Sequence, residues 1–180
     1  MNFETFEING PALITPKKFG DARGYFMETF KDEWFRKNIA DVTFVQDNQS
    51  LSVEQGVIRG LHYQKAPFEQ GKLVRCVQGA IWDVAVDIRP KSPSFGQWIG
   101  AELNEENAKQ LWVPSGFLHG FATLTENCLV QYKVTNPYSK ECDAGIAFDD
   151  PEINVDWKID ITKAILSDKD RNQPALATLK

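Results

Sequence analysis

In GVIRGLHYQKAPFEQGKLVRCVQGAIWDVAVDIRP, residues 56–90, apolar and polar positions alternate in short blocks separated by turns that carry glycine or proline. A period of two is the signature of half-buried strands. The same rhythm continues on both sides. Upstream it runs through NGPALITPKKF (9–19), GYFMETF (24–30) and TFVQDNQSLSV (43–53). Downstream it runs through FGQWIGAEL (95–103), KQLWVPSG (109–116), LHGFATL (118–124) and CLVQYKVTN (128–136). No strand–helix–strand rhythm, Walker loop or GxGxxG breaks the series, which argues against a doubly wound nucleotide fold. Many short strands at roughly even spacing predict an all-β sandwich or barrel, as one domain over residues 1–180. Helix is expected at three places only: KDEWFRKNI (31–39), NEENAKQL (104–111) capped by Asn104, and DITKAILSDKD (160–170) capped by Asp160.

A hydrophobic share of 42% and a charged share of 25% are those of a chain that buries a core. A net charge of −5 without a long lysine or arginine block argues against nucleic acid and against a membrane surface. An anionic ligand must then be met by individually placed cations. The start, MNFETFEINGPAL, lacks the charged and apolar regions of a signal peptide, and no apolar run has the length of a membrane span. Cys76, Cys128 and Cys142 show no CxxC spacing and cannot all pair with each other. A soluble protein of the reducing cytoplasm is expected.

The chain has two histidines, His62 and His119, and both fall in apolar, glycine-punctuated strand sequence. For His62 the plain reading is a core histidine satisfied by a backbone carbonyl. His62 has a second reading. If Leu61 points one way, alternation sends His62 to the opposite face, with Gly60 and Gln64 beside it. In a barrel that face can be the interior. There, with Arg59 and Lys72 close in sequence, a neutral imidazole can serve as a base. Tyr132 shares a face with Val130 and Val134, and a buried phenol that needs a partner is a natural proton donor. Asp170 matters only if the C-terminus folds back to His62, where a carboxylate would fix the tautomer and raise the basicity of the ring. Arg23 and Arg59 each read as surface charge or, taken as a buried pair, suit a pyrophosphate. Gln46 and Asn48 supply amides for ligand hydroxyls. His119 reads as packed behind a tight turn or as a hydrogen-bonding group at the barrel mouth. A metal site of two histidines and a carboxylate is the rival, but no HxH is present and Lys72 falls where an acidic ligand would be wanted.

Taken together, these residues resemble the dTDP-4-dehydrorhamnose 3,5-epimerase family. The segments GDARGYFMETF, FVQDNQSLS, GVIRGLHYQ, QGKLVRCVQGAIWDVAVDIRPKSPSFGQW, LWVPSGFLHGFATL, YKVTNPYS and LSDKD follow in family order from Gly20 to Asp170. The resemblance implies a cupin-type jelly-roll barrel, a homodimer, and catalysis without metal or other cofactor. It also implies a dTDP-sugar substrate, dTDP-4-dehydro-6-deoxyglucose, on the route to activated L-rhamnose. By matching motif, His62 resembles the catalytic base, Asp170 its dyad partner, Tyr132 the acid on the other sugar face, and Lys72 the cation near the C4 oxygen. Arg23, Glu28, Gln46, Asn48, Arg59, His119 and Lys169 match substrate-contacting positions, and Phe26 and Tyr138 are available to stack on thymine. One departure is visible: Asp143 stands where family members often carry glutamate, a shorter carboxylate at a contact position. Rival readings are a C3-only or C5-only epimerase or a ketoisomerase of a related nucleotide sugar, a non-catalytic sugar-binding cupin, and a metal-dependent cupin. The set His62, Lys72, Tyr132 and Asp170 weighs against the binder, because binding needs no acid–base pair.

Overall fold

The computed structural model describes residues 1–179. In chain order the strands are β1 (Asn2–Thr5), β2 (Ala12–Thr15), β3 (Lys18–Asp21), β4 (Gly24–Met27), β5 (Gln46–Ser52), β6 (Ile58–Gln64) and β7 (Lys72–Gln78). They continue as β8 (Ala80–Asp87), β9 (Trp98–Asn104), β10 (Gln110–Val113), β11 (Phe117–Thr123), β12 (Cys128–Val134) and β13 (Asp143–Gly145). Two α-helices, α1 (Asp32–Asn38) and α2 (Asp168–Arg171), and two short 3₁₀ turns complete the chain.

One sheet runs β1-β2-β10-β7-β12-β5 and the other β13-β6-β11-β8-β9, while β3 and β4 form a separate hairpin. Alternation decides what lies between the sheets. Val74 and Cys76 of β7 and Val130 of β12 point inward, as do Ile81 and Ala85 of β8 and Phe117 and Phe121 of β11; all join one buried cluster. Residues from both sheets in one cluster make the two sheets the walls of a jelly-roll barrel. Gly79 alone separates β7 in one wall from β8 in the other, and its φ of +75° is the left-handed turn that a side chain resists.

The outer faces are covered as well. Outside the five-stranded sheet, Leu61, Val84 and Leu118 pack under Ile153, Trp157 and Leu176 of the C-terminal segment. Outside the six-stranded sheet, Ala12, Ile14, Leu73 and Trp112 pack against Phe35 of α1. Edge-on contacts of Phe35 with Trp112 and Phe44 fix that helix. Asp32 and Glu33 in its first turn and Arg36 and Lys37 in its last complement the helix dipole.

The expected all-β barrel and the first helix are present. Two helix expectations are corrected. Residues 105–107 form a turn rather than a helix: Asn104 Oδ1 does accept the Asn107 N–H at 2.7 Å, but Ala108 then takes φ of +52°, which no right-handed helix continues through. The tail is not one helix either. Asp160 caps the 3₁₀ turn Ile161–Lys163, and Ser167 caps α2. Between them Ile165 leaves the helix to exchange backbone hydrogen bonds with Gly56 and Ile58 beside β6. That bridge brings α2 back onto the barrel.

Candidate active site

The barrel is not apolar throughout. Toward one end the inward positions become polar, and they surround a cavity of about 240 Å³. Gln46 and Asn48 of β5, Lys72 of β7 and Tyr132 of β12 line it from the six-stranded wall. His62 and Gln64 of β6 and Asp143 of β13 line it from the five-stranded wall, and Lys169 of α2 closes one side. Alternation places His62 as expected: Leu61 is fully buried in the outer cluster, and His62 turns inward.

His62 Nε2 lies 2.5 Å from Asp170 Oδ1, so the tail does fold back across 108 residues to reach it. Asp170 is itself fixed, because its Oδ2 accepts from Ser167 Oγ at 2.8 Å and its N–H donates to that hydroxyl at 3.1 Å. Burial pushes the Asp170 carboxyl up, but the hydrogen bond and charge of His62, the Ser167 hydroxyl and the charge of Lys169 together hold it below its ordinary value. The carboxylate therefore stays ionised and orients the ring, leaving the other ring nitrogen for proton transfer.

Across the cavity, burial pushes the Tyr132 phenol up, and the nearby Arg59 charge only partly opposes this. The phenol stays protonated at neutral pH. Burial lowers the Lys72 ammonium to about 8, against the fields of Asp83 and Asp143 that favour its charge. It is still mostly charged at neutral pH. Tyr138 O–H donates to Asp143 Oδ2 at 3.1 Å, and the Lys169 ammonium pairs with the same oxygen. The shorter Asp143 carboxylate thus joins two other expected site residues at the cavity wall.

Arg59 stands on the adjoining side, in a second cavity of about 260 Å³ that also contains Asp170. Its guanidinium donates to Ser52 Oγ and to the Leu51 carbonyl, both at 3.1 Å. His119 is buried directly opposite His62 in the β6–β11 register, with Nε2 2.7 Å from Asp83 Oδ1. The expected buried arginine pair is corrected. Arg59 is exposed, and the Arg23 side chain is 89% exposed at the tip of the β3–β4 hairpin, bonded to Asp21. A two-stranded hairpin outside the barrel has no interior in which to bury it. Phe26 and Glu28 are likewise exposed, and none of these three lines the His62 cavity.

Three contributors were given no role from the sequence. Gln64 donates to the Phe68 and Pro137 carbonyls and accepts from the Ser139 N–H, which ties the Tyr138 loop to β6. Its place two residues after His62 was the available signal. Tyr63 and Asp83 carried none. Among the described residues no group of three or more His, Cys, Asp or Glu converges as metal ligands would.

This arrangement sets a histidine–aspartate dyad against a phenol and an ammonium on the facing wall of a small polar chamber. Such a set suits proton removal beside a carbonyl, followed by return of a proton from the other side. The comparisons agree with that chemistry. The family model described as dTDP-4-dehydrorhamnose 3,5-epimerase matches residues 5–178. The enzyme of that name from Sinorhizobium fredii is 55% identical over 179 residues, covering 99% of this chain and 91% of its own. The crystal structure of the enzyme from Elizabethkingia anophelis superposes with a TM-score of 0.94 at 43% identity, covering 99% of this chain and 97% of its own. That of the 3,5-epimerase from Legionella pneumophila, in complex with dTDP-4-keto-L-rhamnose, gives a TM-score of 0.94 at 41% identity, covering 99% and 94%. A likeness that runs from end to end and includes the residues around the dyad assigns the chain to the dTDP-4-dehydrorhamnose 3,5-epimerase family.

Proposed function

We propose that this chain, acting as one catalytic domain, inverts C3 and C5 of dTDP-4-dehydro-6-deoxyglucose to give dTDP-4-dehydro-L-rhamnose. The observation that carries the reading is the placement of His62 and Tyr132 on opposing walls of one cavity, in β6 and β12. A sugar held between them presents one face to a base and the other to an acid.

Both carbons flank the C4 ketone, so loss of either proton gives an enolate. A histidine and a ketone α-proton differ by roughly twelve pKa units, on the order of 16 kcal/mol at about 1.4 kcal/mol per unit. Stabilising the enolate oxygen is therefore the larger task, and the Lys72 ammonium performs it in a water-poor barrel. His62 takes the proton, and the Asp170 carboxylate favours the imidazolium that forms. Tyr132 delivers a proton to the other face, and solvent exchange resets both groups before the second carbon reacts. A cavity of about 240 Å³ is below the roughly 300–1,000 Å³ of sites for larger ligands. It takes the hexose alone, so the diphosphate and thymine extend outward. Arg59, Gln46, Asn48, His119, Asp143 and Lys169 serve as contacts to the substrate.

Arg23 and Glu28, which match substrate-contacting positions, and Phe26, read as available to stack on thymine, lie outside this chain's cavity, which supports a homodimer in which a second copy supplies them. Phe19, Tyr25 and Phe26 of the same hairpin are 52%, 57% and 67% exposed, an apolar surface that a second copy would cover. Three free cysteines accord with a cytoplasmic protein. No described helix is long and apolar enough to cross a membrane.

The reading is tested by supplying the purified protein with dTDP-4-dehydro-6-deoxyglucose and a nicotinamide-dependent 4-ketoreductase that accepts only the doubly inverted ketone. Accumulation of dTDP-L-rhamnose is expected. Cofactor oxidation no faster than without the protein would reject the reading.

A further inference from the structure

Asp83 of β8 lies between Ile81 and Ala85 in the alternation, so its carboxyl points into the barrel, and it has no solvent exposure. Oδ1 is 2.7 Å from His119 Nε2, while Oδ2 is buried with no hydrogen-bond partner among the described residues. An unpaired buried carboxylate oxygen is costly, and a nearby cation is what makes it tolerable. Lys72 projects into the same barrel interior from β7 of the opposite wall, forms no direct ion pair among the described residues, and feels the Asp83 charge as the leading field in its favour. We propose that Asp83 is a positioning residue of the reaction, a buried counter-ion that fixes His119 and holds Lys72 charged at the C4 oxygen of the sugar. The proposal rests on the role given to Lys72 under the proposed function.

The surroundings of Lys72 support it. Burial works against the ammonium; among the fields that restore its charge Asp83 leads, ahead of Asp143 on β13, while Lys169 on α2 opposes. Facing it in the cavity are His62 and Tyr63 of β6, Tyr132 of β12, and Tyr138 in the loop beyond. The tyrosines are neutral at working pH, since burial raises Tyr63 and Tyr132, and the hydrogen bond to Asp143 raises Tyr138. His62 has its own carboxylate in Asp170, and Asp143 is shared with Lys169. Asp83 itself faces His119 of β11 and, on β7, the Cys76 thiol, which burial pushes up to about 12 and keeps neutral. Of the three carboxylates, Asp83 is the one that is wholly buried with an oxygen lacking any hydrogen-bond partner among the described residues.

Asp83→Asn keeps the shape and a hydrogen-bonding group for His119 but removes the charge. A nearby opposite charge moves a pKa by about 1–3 units. The alkaline limb of kcat/KM should therefore fall by about one pH unit or more, with kcat at pH 7.5 down about threefold or more and KM little changed. A residue needed only for packing would leave the position of that limb alone. The decisive readout needs no turnover: the substrate-free titration of the Lys72 ε-carbon, followed by NMR of ¹³C-lysine protein and assigned by its loss in Lys72→Met. Lys72 in Asp83→Asn should titrate at least about one unit lower than in the parent. An unchanged titration would overturn the counter-ion role, whatever the kinetics. A shifted titration in a protein that epimerises nothing would uphold the pairing and reject the proposed function instead. If Asp83→Asn unfolds, Asp83→Asn/Lys72→Met removes the stranded cation with its partner and should have the higher urea midpoint. A double variant no more stable than the single one would overturn the proposal.

Discussion

In the proposed mechanism Lys72 has the largest task, and burial works against its charge. With its ammonium at about 8, the charged form predominates below that pH and is lost above it. A reaction that needs the cation should therefore lose kcat/KM as pH rises through about 8, and a pH–rate profile of the purified protein checks this. Lys72→Met should lower kcat by about 10²–10³, the usual cost of one lost oxyanion donor, while circular dichroism stays unchanged. The inward placement of His62 and the shared face of Tyr132 with Val130 were legible because period-2 alternation fixes which way a strand residue points, whereas the role of Lys72 came from its match to the family. Asp170 was legible only through its match to the family, since nothing local announces a partner 108 residues away. Asp83 was silent: an aspartate among Ile81, Val84 and Ala85 looks like a turn or a misfit until the barrel closes over it.

The β6–β11 pair is the element on which the dyad depends, and it is held unusually close. A Cβ on Gly60, at φ of +141°, would sit 2.6 Å from the Gly120 Cα, next to the register shift between His119 and Phe121. No rotamer relieves a clash between two backbones. Gly60→Ala should destabilise by more than about 2 kcal/mol, read as a lower urea midpoint. It should also lower kcat beyond what the unfolded fraction explains, because His62 sits two residues on. The barrel strands β6–β9 were visible in sequence because each alternates toward an apolar face. The helices were less so. The tail has helix-forming residues throughout, but the backbone bridge from Ile165 to Gly56 and Ile58 outweighs that local preference. Strand β13 was missed because three residues, Asp143–Gly145, are too few to show a period.

At the scale of the whole molecule, the proposed base and acid stand on opposite walls, and a hairpin outside the barrel carries residues read as substrate contacts by resemblance to the family. The proposed homodimer reconciles these two placements. Sedimentation velocity at micromolar concentration should give a species of twice the 20.4 kDa chain mass, and a monomer would leave Arg23, Phe26 and Glu28 without a site. The central claim is that one barrel deprotonates both carbons that flank the ketone, with His62 as the base. Proton NMR of dTDP-4-dehydro-6-deoxyglucose in D₂O tests it most directly, with the wild-type protein and with His62→Ala compared at equal folded concentration. Deuterium should enter at C3 and at C5 with the wild type and at neither carbon with the variant. Exchange at one carbon only with the wild type, or at undiminished rate in His62→Ala, would contradict the account.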